Sequence, residues 1–157
     1  MFHNILVIFE NEKICDEAVT YAQELAIRMD AEVTLLMLIQ MTFFDNSFLA
    51  SKRDAVMHIE ERIGKKLGTM FTQFIEHGIT VSAALKVGDP AEELVKFLAE
   101  KQPFQSIIWG SSKNLPVKNH TAQRHWVQKV INILECPLFT VNSKVLKQNK
   151  KQISGIS

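Results

Sequence analysis

Apolar residues are distributed along the chain in two alternating ways. Short continuous apolar runs are separated by longer stretches in which apolar residues return every three or four positions. Asn4-Ile5-Leu6-Val7-Ile8-Phe9 and Glu32-Val33-Thr34-Leu35-Leu36-Met37-Leu38-Ile39 are runs of the first kind, as expected of parallel strands covered on both faces. Ile79 to Lys86 alternates apolar with small or polar residues, and Gln105 to Trp109 and Pro137 to Val141 complete five predicted strands. Ile14, Ala18, Tyr21, Ala22, Leu25 and Ala26 mark a first helix that exits at Asp30. Val56, Ile59, Ile63, Leu67, Met70 and Phe74 mark a long second helix from Asp54 to His77, closed by Gly78. Gly64 and Gly68 weaken it, each by about 1 kcal/mol relative to alanine. Gly88-Asp89-Pro90-Ala91-Glu92 is a helix start in which Asp89 caps, Pro90 takes the first helical position and Glu92 closes a capping box. That third helix runs through Leu94, Val95, Phe97 and Leu98 to about Lys101. A fourth, Thr121 to Leu134, carries Trp126, Val127, Val130, Ile131 and Leu134 on one stripe.

The order βαβαβαβαβ, without an internal repeat, predicts an α/β fold with a doubly wound parallel sheet. Such sheets bind ligands at the carboxyl ends of their strands, near the switch point. The residues to weigh are therefore Glu10 and Asn11, Leu38 and Ile39 with the loop to Phe44, Gly88, and Gly110 to His125. Ile107-Ile108-Trp109-Gly110-Ser111-Ser112 is a buried strand breaking into a small-residue turn ahead of a helix, the layout of a phosphate-binding loop. The turn then departs from that layout, because Lys113, Arg124 and His125 stand where a backbone cradle would need glycines and a hydroxyl.

With 157 residues, 46% of them hydrophobic and 22% charged, the chain has the size and composition of one globular domain. No apolar run approaches the roughly 20 residues that span a bilayer, and the N-terminus lacks the marks of a signal peptide. The expectation is a cytoplasmic protein without a membrane partner. Cys15 and Cys136 lie far apart among apolar residues, with no CxxC spacing, and are expected to be free buried thiols. The net charge is +1, yet Lys144, Lys147, Lys150 and Lys151 belong to a tail, 144–157, that has no acidic residue. Without those four, 14 basic residues face 17 acidic ones, so the body carries −3 and is poorly suited to nucleic acid. The tail reads as a solvated terminus.

Catalytic constellations are absent from the sequence. Ser111-Ser112 lacks a nucleophile elbow, and His120 and His125 are five apart and would face different sides of a helix. His3, His58 and His77 are isolated, and neither an SGGxDS nor a GxxxxGK[ST] loop occurs. No enzyme activity and no metal are expected.

Several landmarks together resemble the universal stress protein family from Asn4 to about Ser143. They are Ile5-Leu6-Val7, Asp16-Glu17-Ala18-Val19-Thr20-Tyr21-Ala22 with Leu25-Ala26, Val33-Thr34-Leu35-Leu36, Gly88-Asp89-Pro90-Ala91-Glu92-Glu93-Leu94-Val95, Gly110-Ser111-Ser112, and Lys129-Val130 ahead of Cys136-Pro137. The resemblance implies one domain, 1–143, with a five-stranded sheet of order 3-2-1-4-5 between four helices, and homodimers paired through the last strand, here Leu138 to Val141. Its nucleotide-binding members carry Gly-x2-Gly-x9-Gly followed by Ser or Thr, after an Asp at the end of the first strand. In this chain Gly110 satisfies the first glycine, Lys113 occupies the second, Arg124 and His125 fall at the last glycine and its hydroxyl neighbour with one extra residue in the intervening loop, and Glu10 replaces the Asp. Glycines let backbone N–H groups wrap phosphate oxygens, and bulky side chains obstruct that approach. The extra methylene of Glu10 carries its carboxylate about one bond length further, toward where a base edge would lie.

Two uses of this altered loop follow. Lys113, Lys118, His120, Arg124 and His125, with no acidic residue among them, are either a solvated surface loop or a side-chain substitute for the lost cradle near a helix N-terminus. Phe43, Phe44 and Phe48, after the second strand, either pack on the second helix or a dimer partner, or fill the cleft. The leading expectation is a stress-response or regulatory domain acting through an unidentified protein partner, with no resident cofactor. The alternative is a nucleotide sensor in which ATP or AMP binds at Glu10, Asn11, Leu38, Ile39, Gly88, Gly110, Ser111, Ser112, Lys113, Arg124 and His125, with at most weak ATP hydrolysis.

Overall fold

Strands β1 (His3–Glu10), β2 (Ala31–Gln40) and β4 (Ser106–Gly110) form the middle of the sheet and are buried along most of their length. In the computed structural model, which describes residues 3–40, 52–101, 103–110 and 126–141, β3 (Val81–Gly88) and β5 (Leu138–Val141) flank them. All four strand pairings are parallel and the order is β3-β2-β1-β4-β5. The predicted fold class and strand order are both observed.

Successive side chains of a strand point to opposite faces, and the core divides accordingly. Ile5, Val7 and Phe9 of β1 join Val33, Leu35, Met37 and Ile39 of β2 on one face. There α1 (Asp16–Met29) contributes Ala18, Val19, Ala22 and Ala26, and α2 (Lys52–Glu76) contributes Ile59, Ile63, Leu67, Met70 and Phe74. Leu6, Ile8, Leu36, Leu38, Ile107 and Trp109 point the other way, onto α3 (Pro90–Glu100) and α4 (Trp126–Val130). Each face thus takes two crossover helices, which is why the central strands read as unbroken apolar runs.

Local signals account for several of the element ends. Asp30 ends α1 in the left-handed region at φ 53° and donates its N–H to Ala26. Asp89 accepts a hydrogen bond from the Glu92 N–H at 3.1 Å, with Pro90 at the first helical position, as the sequence predicts. The third strand is predicted from Ile79 but begins at Val81. Gly78, at φ 75°, closes α2, and the Ile79 N–H donates to the Phe74 carbonyl at 3.0 Å, so Ile79 belongs to the helix stop. Ile131 is predicted on the buried stripe of the last helix but is 46% exposed, because the chain leaves α4 for a turn after Val130. Residues 121–125 of that predicted helix, the side chain of Val56, the phenylalanines at 43, 44 and 48, and the lysine tail lie outside the described residues.

Replacing a helix-capping aspartate removes the acceptor for an otherwise orphaned N–H. Asp89→Ala is therefore expected to lower stability by about 1 kcal/mol in urea denaturation, with an unchanged m-value.

Candidate functional site

The parallel register brings the chain's chemistry to one edge. Glu10 pairs with Leu38 and Gln40 with Gly88, and Gly110 pairs with Val141, so the carboxyl ends of β1, β2, β3, β4 and β5 open on the same side. The order reverses between β1 and β4, and their exits, Glu10 and Gly110, define the switch point. Of the sequence-nominated residues, Glu10, Asn11, Leu38, Ile39, Gly88 and Gly110 are placed at this edge. Ser111, Ser112, Lys113, Arg124 and His125 lie outside the described residues.

The turn that leaves β1 is well defined at this edge. Asn11 and Glu12 both take positive φ, 47° and 64°. Asparagine tolerates the left-handed region, whereas for glutamate it costs on the order of 1 kcal/mol. Asn11 continues the β1–β2 ladder by other means. Its N–H donates to the Leu38 carbonyl at 2.9 Å, and its side-chain Oδ1 accepts from the Gln40 N–H at 2.9 Å. The Lys13 N–H donates back to the Glu10 carbonyl at 2.9 Å and closes the turn.

From the other side, α2 reaches the same turn. Arg62 donates from Nε to Glu12 Oε1 at 2.8 Å and from Nη2 to Oε2 at 2.9 Å, and Lys66 Nζ donates to the Glu12 backbone carbonyl at 3.3 Å. Only 13% of the Glu12 side chain is exposed, against 54% of Arg62. The hydrogen bonds from Arg62 hold the Glu12 carboxyl below its ordinary range, against the opposing effect of burial and with further help from the Arg62 and Lys66 charges. Neither Arg62 nor Lys66 is nominated by the sequence. Their spacing of four puts them on one helix face, but nothing local tells that this face overlies the turn after β1.

Two glycines at the edge have different reasons. Gly88 sits at φ 154°, a backbone conformation side chains avoid, at the junction of β3 with the α3 cap. Gly110 is a matter of space. A Cβ there would lie 2.8 Å from the Cβ of Ala18, 3.1 Å from that of Cys15 and 3.1 Å from Phe9 Cε1. The first helix therefore sits directly on the last residue of β4, and only glycine permits it.

Leu38 and Ile39 are each 1% exposed, with side chains in opposite halves of the core, so they offer a ligand backbone groups alone. One of those, the Leu38 carbonyl, already accepts from Asn11. Cys15 precedes α1 and is buried, its Sγ 3.5 Å from Glu17 Oε2 and 3.6 Å from the Val141 carbonyl. Burial, with smaller contributions from Glu17, pushes its thiol pKa up, which makes it a poor nucleophile. Cys136 is also free, and its pKa is raised by desolvation and by the Glu135 charge. Among the described residues no group of His, Cys, Asp and Glu could hold a metal ion, and no helix is long and apolar enough to cross a membrane. A hollow of about 380 Å³ lies at the opposite, amino end of β4 and β5, lined by Leu98, Phe104, Ile107, Leu134 and Cys136. Its walls are mostly apolar, with Lys101 and Glu135 also among the lining residues.

A parallel sheet whose order reverses between β1 and β4 defines a doubly wound α/β domain of nucleotide-binding type. The sequence profile of the Universal stress protein family matches residues 1–142, and the chain belongs to that family. Among curated proteins none matches. Solved structures share the fold: a universal stress protein family member from Burkholderia pseudomallei is 18% identical with a TM-score of 0.66, over 90% of this chain and 97% of that one. UspA from Lactobacillus plantarum is 18% identical with a TM-score of 0.62, over 90% and 98%. The Archaeoglobus fulgidus universal stress protein in complex with dAMP is 12% identical with a TM-score of 0.55, over 90% and 98%.

A carboxylate whose pKa is depressed on folding contributes stability that is present above its unfolded value and lost as pH falls through the folded one. Glu12, with an ordinary value of 4.5, is such a group. The stability difference between the parent protein and Arg62→Ala should be present at pH 7 and shrink at pH 3, measured by urea denaturation at both pH values.

Proposed function

We propose that this universal stress protein works as a regulatory or stress-response domain that binds another protein and turns over no substrate. The observation that carries this reading is the packing at Gly110. The one loop glycine shared with the family's nucleotide-binding pattern is required by the contact of β4 with Ala18 and Cys15, whatever binds outside. Its presence is therefore no sign of a phosphate cradle. At the pattern's other positions stand Lys113, Arg124 and His125, and Glu10 replaces the aspartate. Bulky residues there oppose the close backbone approach that a triphosphate needs. The protein is cytoplasmic in this reading and forms homodimers through β5, a sheet edge whose Phe139 is 39% exposed.

A second reading, a nucleotide sensor, is favoured by the dAMP complex of the Archaeoglobus fulgidus protein. A single phosphate asks less of a loop than three do. Lys113 and Arg124 would then bind phosphate through charge-assisted hydrogen bonds in place of backbone N–H groups.

Mass spectrometry of material released on denaturing the purified protein, followed by calorimetric titration with Mg-ATP and AMP, separates the two readings. The first expects no retained nucleotide and no heat of binding at millimolar ligand. Retained or titratable nucleotide that disappears in Lys113→Ala/Arg124→Ala would establish the second. Binding that survives the double substitution would contradict both the partner-only reading and the side-chain phosphate site.

A further inference from the structure

The turn after β1 is gripped from two directions, and only one grip belongs to the sheet. On the sheet side, Asn11 fastens to Leu38 and Gln40 of β2. On the helix side, Arg62 takes both oxygens of Glu12 and Lys66 takes its carbonyl. Glu12 is the residue least suited to the conformation it holds, at φ 64°. A bidentate guanidinium–carboxylate pair fixes orientation as well as distance, and here it acts on a side chain whose backbone is strained. Cys15 follows three residues later, buried at the start of α1 against Val141 of β5. The turn and the entry to α1 are thus three residues apart in the chain.

We propose that α2 is a clamp on the cleft wall: Arg62 and Lys66 are positioning residues that hold Glu12 left-handed and thereby fix Glu10, Asn11 and the start of α1. The clamp rests on the same placement of the site as the proposed function, and deepens it by naming how that site is held. Its consequence is a coupling between the cleft and the outer surface of α2. A ligand or protein that engages Arg62 or Lys66 competes with Glu12 for them and releases the wall. Arg62, more than half exposed, is accessible for such competition.

The test uses the full chain and needs neither nucleotide nor partner, so it stands or falls apart from the functional reading. Amide hydrogen exchange is compared in the parent, Arg62→Ala/Lys66→Ala and Arg62→Lys. The clamp predicts that exchange at the Asn11 and Lys13 amides rises roughly threefold to tenfold in the double variant, while Val7 and Leu35 stay as in the parent. Arg62→Lys, which keeps the charge but loses the bidentate geometry, should fall between them. In a Cys136→Ser background, alkylation of Cys15 by iodoacetamide should accelerate in the same order. Unchanged exchange at Asn11 and Lys13 overturns the clamp, as does an equal acceleration across the sheet, which would make the two residues ordinary contributors to global stability.

Discussion

The seating of α1 on the end of β4 is the contact on which the rest of the molecule depends. Ala18 and Cys15 approach Gly110 so closely that a single methyl group there would have to displace the helix or the strand. The contact ties the first crossover to a strand that comes about ninety residues later in the chain, across β1 and Phe9. It lies at the switch point, because Glu10 and Gly110 are the adjacent exits of β1 and β4. Packing interiors are dense and relax only partly, so this spacing is set by the core and does not await a ligand.

That origin changes how the cleft is understood. A glycine at the end of a β4-type strand ordinarily suggests phosphate, yet here the packing of the interior is itself enough to require it. The neighbouring wall is similarly occupied with structure: Asn11 spends its N–H and its side-chain oxygen on β2, and Glu12 spends its carboxylate on Arg62. Among the described residues of this edge, the polar groups of Asn11 and Glu12 thus serve the fold itself. β5 stands at an edge of the sheet, and the long helix α2 is joined to the turn after β1 through Arg62 and Lys66.

The architecture was largely legible because its cause is local. Strands covered on both faces must be apolar at every position, and β1, β2 and β4 are buried almost throughout. The Asp89 cap and the Gly78 stop are written in residues that have few alternative uses. Errors fell where neighbours decide the outcome. Ile79 is taken by the helix end through its bond to Phe74, and Ile131 is turned outward once α4 gives way to a turn. The site was legible only as a set of strand ends. Glu10, Asn11, Gly88 and Gly110 are found there, but the reasons for Gly110 and for the grip of Arg62 on Glu12 lie in contacts between residues far apart in sequence. No periodicity or motif carries such contacts.

The claim that packing alone demands glycine at position 110 is tested most directly by a double-mutant cycle of Gly110→Ala with Ala18→Gly, read by equilibrium denaturation. The account predicts that Gly110→Ala destabilises by about 1–3 kcal/mol through overpacking. It also predicts that Ala18→Gly, itself costing about 1 kcal/mol in a helix, returns part of that loss when the two are combined. Strict additivity of the two substitutions, or a Gly110→Ala protein as stable as the parent, would show that α1 does not rest on this residue and would contradict the account.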